Sequence, residues 1–256
     1  MCKKRSHCWP LLASLALAFV AAPSMADESW DGMVGGGAIH APDYLGSDDY
    51  ETEAWPAVRL SYGNRFYLSS RGGLGWNVIR QGNWKVSPFI GYHQGRDSDG
   101  DLRRLDKVDS GATAGLRVAY TNAGWTYSAD AKAPFTGDLD GYQISFKTRW
   151  QGRLSEQWSA SLGPDLTYSS TDWTKDMFGI SSSESVRSGL SPYDPANGYL
   201  RVGMSGSLTY WLTPEWSITG LTGVSQLTGD ANDSPIVDDT GDAFQAYAGA
   251  FVSYKF

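Results

Sequence analysis

The sequence predicts an all-β protein, an antiparallel transmembrane β-barrel of about 12 strands, with about 10 as the alternative. Three observations carry this. The C-terminal stretch alternates with period two and ends on Phe256. Aromatic residues stand beside a succession of short turns. The chain opens like a secreted precursor, yet carries no apolar run long enough for a membrane helix.

At the C-terminal end, Phe256, Tyr254, Val252, Ala250, Ala248 and Ala246 alternate with Lys255, Ser253, Phe251, Gly249 and Tyr247. Period two is the signature of a strand with one apolar face. The ending on an aromatic resembles the assembly signal of outer-membrane barrels, with Tyr254 and Phe256 as its residues. The last strand of a soluble sandwich is the other reading of this stretch taken alone.

At the N-terminal end, Lys3, Lys4 and Arg5 precede a mostly apolar run, Leu11 to Ala22. Ser24-Met25-Ala26 fits a small-x-small cleavage site, so residues 1–26 read as a signal peptide and 27–256 as the barrel domain. Both cysteines, Cys2 and Cys8, fall in the leader. The mature part therefore has no disulfide and no thiolate metal site. It holds 18 Lys and Arg against 28 Asp and Glu. This acidic balance disfavours nucleic acid as a partner.

Taken in order, Trp30 to His40 is a glycine-rich first strand. Gly35-Gly36-Gly37 lacks the spacing of a nucleotide loop. Residues 41–53 read as an acidic loop. Val58, Leu60 and Tyr62 alternate with Arg59 and Ser61 before the Gly63-Asn64 turn. Arg65 to Ile79 is one long strand or two short ones. Two short ones put an outer turn near Arg71-Gly72-Gly73 and bring the count to about 12, although each half is shorter than the roughly 9–11 residues of a tilted span. Trp84 to Gln94 is the next strand.

The second half alternates more clearly. Ala112, Leu116, Val118 and Tyr120 oppose Thr113, Gly115 and Arg117. Trp125, Tyr127, Ala129 and Ala131 follow, then Tyr142, Ile144, Phe146 and Trp150 opposing Gln143, Ser145, Lys147 and Arg149. Trp158 to Tyr168, Leu200 to Tyr210 and Trp216 to Leu227 repeat the pattern. The polar faces carry charges that a dry core could not hold unpaired. They therefore line a lumen, where Lys147, Arg149 and Arg201 are expected to pair with carboxylates such as Asp165.

Short turns bracketed by Tyr62/Phe66, Trp76/Trp84, Tyr120/Trp125, Trp150/Trp158 and Trp211/Trp216 mark the periplasmic aromatic girdle. The long loops, 41–53, 95–109, 135–141, 170–198 and 229–242, then lie outside the cell. Loops 41–53 and 229–242 each carry five carboxylates and no Lys or Arg. Outer-membrane lipid and lipopolysaccharide are the expected surroundings, and the bacterial outer membrane the expected location.

Three blocks of residues resemble the MipA/OmpV family of outer-membrane proteins. The first holds Pro42, Asp43, Tyr44, Gly46 and Asp48, then Pro56, Tyr62-Gly63 and Gly73-Leu74-Gly75. The second holds Met177-Phe178-Gly179-Ile180, Ser188-Gly189-Leu190, Tyr193-Asp194 and Gly198. The third holds Leu227-Thr228-Gly229-Asp230, Asp233-Ser234-Pro235 and the ending Tyr254-Lys255-Phe256. The resemblance implies a scaffold joining a lytic murein transglycosylase to a bifunctional penicillin-binding protein. It assigns no role to individual residues.

Two other functions stand beside it. One is a small solute pore. The other is a rim hydrolase using His40 or His93 with a neighbouring Asp or Ser, although neither sits in a recognisable catalytic motif. Asp97-Ser98-Asp99-Gly100-Asp101 begins like a calcium loop but lacks Gly at the sixth position and Glu at the twelfth. No catalytic, metal or cofactor residue is therefore expected.

Overall fold

The computed structural model describes residues 29–98 and 100–256. The proposed signal peptide lies outside them. Thirteen strand segments form one antiparallel sheet that closes on itself. They are β1 (Trp30–Pro42), β2 (Tyr50–Tyr62), β3 (Phe66–Ser69), β4 (Gly73–Trp76), β5 (Ile79–Gln81) and β6 (Trp84–His93). After these come β7 (Gly111–Asn122), β8 (Trp125–Pro134), β9 (Gln143–Arg153), β10 (Trp158–Ser169), β11 (Tyr199–Trp211), β12 (Trp216–Leu227) and β13 (Phe244–Lys255).

β4 and β5 are two pieces of one stave. Both pair with β6, Leu74 opposite Ile90 and Ile79 opposite Val86. The break falls at Asn77, whose side chain donates to the Asn64 carbonyl and accepts from Ser87 Oγ, each at 2.7 Å. Twelve staves result. The ring closes where β1 pairs with β13, from Met33–Lys255 to His40–Ala248. Closure matters because hydrocarbon offers no partner to a free strand edge. The protein is an outer-membrane β-barrel.

The alternation is realised as two faces. Leu116, Phe146, Leu162, Val202 and Val252 are exposed on the outer face, where lipid takes the place of a core. Thr113, Ser145, Thr167, Ser217 and Ser253 are buried on the inner face.

At the periplasmic rim the aromatics meet across strands, and not only around turns. Trp30–Tyr62, Trp84–Tyr120, Trp158–Tyr210 and Trp216–Tyr254 are directly opposed register pairs. Their ring centroids lie 4.9–5.1 Å apart. Such a pair adds roughly 0.5–1.5 kcal/mol beyond area burial. Trp211 departs from the girdle expected of it. It falls on the inward parity with Thr209, and its Nε1 donates to the lumen-side Ser159 Oγ at 3.4 Å.

The acidic stretch 41–53 is also shorter as a loop than its composition suggests. β1 and β2 zip up to Pro42 opposite Tyr50, leaving 43–49 as the loop and placing Glu51 and Glu53 on β2. The clustered charge masks the alternation there. β3 reaches only as far as Ser69 opposite Arg59, and above it Ser70, outside any strand, bonds to Val58 on that side of β2. Pro56 stands on this edge, where it has no N–H to leave unmade. Ser70 Oγ donates to its carbonyl at 2.8 Å.

Candidate functional site: an extracellular cap over a cationic lumen

The five long loops share one apolar core above the barrel. Leu45, Val108, Leu139, Trp173, Met177, Phe178, Ala231 and Val237 come from all five and pack on the strand ends Tyr199 and Leu227. A second cluster joins Leu102, Leu105, Ile180 and Ile236, with Tyr44, Leu190 and Tyr193 against it. Phe178, Leu102, Leu227 and Ile236 are fully buried. Solvated loops would not build such a core, so the loops form a folded lid over the extracellular mouth.

Local chemistry starts each piece of the lid. Helix α1 (Thr171–Phe178) follows Ser170, whose carbonyl accepts from Thr174 Oγ1 at 2.8 Å. Helix α2 (Ser182–Ser188) begins with a capping box between Ser181 and Glu184 and ends on Gly189 at φ 86°. Helix α3 (Pro235–Asp238) has Ser234 as its cap and Pro235 in its first turn.

The motif residues converge here. Pro42 ends β1 opposite Tyr50, and the Asp43 N–H bonds to the Asp49 carbonyl at 3.1 Å. Tyr44 Oη donates to the Thr240 carbonyl at 3.1 Å. The Gly46 N–H donates to Gln245 Oε1, also at 3.1 Å. A Cβ on Gly46 would lie 2.7 Å from Val237, so only glycine fits under α3. The Gly179 N–H closes α1 on the Lys175 carbonyl. Tyr193 Oη donates to the Asp230 carbonyl at 2.9 Å, and Asp230 Oδ2 accepts from the Asn197 N–H at 2.7 Å. Ser234 Oγ donates to the Phe178 carbonyl at 2.7 Å. Each of these contacts builds the lid.

Three positions were not legible as site residues. Arg96 is almost fully buried and donates to the carbonyls of Met177 and Asp106. Glu184 accepts from the Asp106 N–H at 3.0 Å, tying loop 94–110 to α2. Burial works against the Glu184 carboxylate. The Ser181 and Asp106 hydrogen bonds and the Arg96 charge outweigh it, so its pKa falls below the ordinary value. Asp176 goes the other way: burial, with Asp140, Asp172 and Asp138 nearby, pushes its carboxyl up. An isolated Arg or Glu in a loop has no periodic signal that would single it out.

Below the lid lies the lumen wall. Arg117 holds Asp130 with two hydrogen bonds, at 2.7 and 3.0 Å, and donates to Tyr67 Oη at 3.1 Å. Its guanidinium also lies 4.9 Å from the centre of the Phe89 ring. Lys147 sits 4.0 Å from the same Asp130, not on the expected Asp165, and Arg149 is taken by the carbonyl and hydroxyl of Ser205. The cross-strand register puts Asp130 within reach of two cations at once. Tyr67, Phe89 and Tyr247 lie flat over Gly75, Gly115 and Gly223, where a Cβ would strike the rings at 2.2–2.7 Å. These ring-on-glycine contacts fill part of the interior.

The two histidines do not meet a carboxylate in their hydrogen bonds. His40 Nδ1 is bonded to Thr52 Oγ1 at 3.0 Å. His93 is buried, donates from Nε2 to the Thr136 carbonyl at 3.0 Å and packs edge-on to Trp173. Asp97, at the start of the calcium-like stretch, pairs with Lys107 at 3.2 Å. Among the described residues no group of three or more His, Cys, Asp or Glu could hold a metal ion.

The family model described as MltA-interacting protein MipA matches residues 34–256. The MltA-interacting protein of Escherichia coli K12 is 28% identical over 222 residues, 81% of this chain and 84% of that one. The putative outer membrane protein YiaT of the same strain is 26% identical over 254 residues, 96% of this chain and 98% of that one. Among solved structures, the COG4313 outer membrane channel from Pseudomonas putida F1 aligns over 93% of this chain and all of that one, at a TM-score of 0.47 and 13% identity.

Proposed function

The chain belongs to the MltA-interacting protein MipA family, and from that premise we propose that it is a structural barrel that anchors murein-remodelling enzymes at the outer membrane. The partners proposed are a lytic murein transglycosylase and, with it, a bifunctional penicillin-binding protein. The name of the Escherichia coli relative supports the first of these. The observation that carries the reading is the lid: all five long loops are spent on closing the extracellular mouth. The periplasmic turns, at the opposite end of the barrel, face the murein side.

Two of those turns are built alike and lie side by side. Leu154 and Leu212 each donate an N–H to the carbonyl of the Trp four residues on, Trp158 and Trp216. Ser155 Oγ and Thr213 Oγ1 accept from the N–H groups two and three residues on in each turn. The construction leaves Leu154 60% and Leu212 52% exposed at adjacent tips. These tips are the contact proposed for an enzyme partner.

Cross-linked pull-down from envelopes tests this. The wild-type barrel should retain a lytic transglycosylase, and Leu154→Asp/Leu212→Asp should lose it while staying folded. Absence of any murein enzyme from the wild-type sample would sink the reading. A small solute pore is the second reading, favoured by the half-exposed Lys147 side chain inside the lumen. Planar-bilayer recording separates the two: the lidded barrel should give no large, stable conductance steps.

A further inference from the structure

We propose that the lumen wall carrying Arg117, Lys132, Lys147 and Arg201 is a binding site for a small multivalent oxyanion, one bearing phosphate groups or clustered carboxylates. The cross-strand register places these residues together. Arg117, Asp130, Ser145, Thr167 and Arg201 are successive partners on one row running from β7 to β11. One inward rung above, Gly115, Lys132, Gln143 and Ser169 form the next row. One rung below are Ser128, Lys147, Asp165 and Gly203. Three consecutive rungs thus hold four cations and two carboxylates.

The carboxylates do not cancel the cations. Asp130 is held in two hydrogen bonds by Arg117, and Lys147 stands farther off at 4.0 Å. Lys132 points its ammonium at the face of Trp173, 5.7 Å from the ring centre, so the lid forms the roof of this space. Beside it, β12, β13 and β1 present Ser225, Gly223, Tyr247, Gly249 and Gly37, none of them charged, while β2, across from β9, places Glu51 and Glu53 on the inward parity nearer the lid. Excess positive charge on one wall of a lumen, where the low-dielectric barrel focuses the field, attracts an anion more strongly than the same charge on an open surface.

Space and donors are present. The Lys147 side chain is 45% exposed although it points inward, so the lumen beside it is open. The wall between the cations is polar, with Ser145 bonded to Thr167 at 2.9 Å and Gln143 to Ser169 at 2.8 Å. Successive inward rungs lie roughly 7 Å apart along a strand. That spread suits an anion with two or more charged groups better than a single chloride.

Calorimetric titration of the folded protein in a non-ionic detergent, at about 20 mM salt to limit screening, tests the proposal. Pyrophosphate and citrate are the two probes, one for the phosphate form and one for the carboxylate form. At least one should bind saturably and be released by added salt. Lys147→Gln/Arg201→Gln should weaken it about tenfold or more, roughly one lost ion pair or better. Asp165→Asn, which removes a competing carboxylate, should tighten it. Lys107→Gln in an outer loop should leave it unchanged. Heat-modifiable gel mobility reports folding of each variant; if the double variant does not fold, Lys147→Gln alone reads the same loss. Absence of saturable binding by both probes, unchanged affinity on removing the lumen cations, or an equal loss in Lys107→Gln would overturn the assignment.

Discussion

Phe256 and Gly32 close the barrel together. Each donates its N–H to the other's carbonyl, at 3.0 and 3.2 Å. The Phe256 ring lies over the Gly32 α-carbon, where a Cβ would come within 2.5 Å of it. The aromatic packs on bare backbone at the seam between the first and last strands. A substitution here should act on closure. Phe256→Asp or Gly32→Val should sharply reduce the amount of folded barrel, because an open seam leaves backbone groups unpaired in hydrocarbon at several kcal/mol each. Gly36→Val is the control: it is also on β1, with nothing closer than 3.9 Å to its Cβ position. Lys255→Asp, which points inward, should be milder than Phe256→Asp. Heat-modifiable mobility of outer-membrane fractions reads all four, and equal folded amounts for Phe256→Asp and Lys255→Asp would remove the support for Phe256 as an assembly signal.

Two glycines of the lid separate strain from packing. Gly46 has φ 102° and sits against Val237, whereas Gly189 has φ 86° with open space around its Cβ position. Gly189→Ala should cost about 1–2 kcal/mol, the ordinary price of a left-handed residue. Gly46→Ala adds an overpacking term of about 1–3 kcal/mol. Protease cleavage of the loops in intact cells should therefore rise more for Gly46→Ala. The reverse order would mean that loop 43–49 is not clamped beneath α3.

The lid should loosen in acid. The Glu184 pKa is depressed in the fold below its ordinary 4.5. Its contribution to stability is present above that value and is lost as pH falls through the folded pKa. Acidifying from pH 7 should leave loop protection unchanged until about pH 4.5 and reduce it below that. Glu184→Gln should start less protected and show a flatter acid profile. Asp176 has the opposite sign: its charge opposes folding at neutral pH, so Asp176→Asn, which can still accept the Asp140 N–H, should be neutral or protective. A wild-type profile identical to that of Glu184→Gln would refute the Glu184 part.

Processing is the fourth expectation. The Lys3-Lys4-Arg5 start and the Ser24-Met25-Ala26 site place the mature N-terminus at Asp27. N-terminal sequencing of protein from purified outer membranes should begin there, and a retained Met1 would overturn it.

The sequence by itself determined the wall of the barrel. Period-two alternation such as Ile144-Ser145-Phe146 or Val252-Ser253-Tyr254 is a local property, legible without any partner strand. The short turns and the tryptophans beside them gave the side of the membrane for the same reason. The tertiary structure decided everything that depends on which segment meets which. Tyr44 bonds to Thr240, 196 residues away, and Gly46 to Gln245, 199 away. No spacing within either segment encodes those contacts, because loop residues follow no period. Lumen pairing behaves likewise: register puts Asp165 directly opposite Lys147, yet side-chain reach gives the diagonal Asp130 to Lys147 and Arg117 together. Trp211 looked like a girdle residue by its place beside a turn; the parity of β11, legible in the sequence, turns it inward, and the fold supplies its partner Ser159. A strand's faces are set by its own residues; its partners are set by ring closure, which only the whole chain determines.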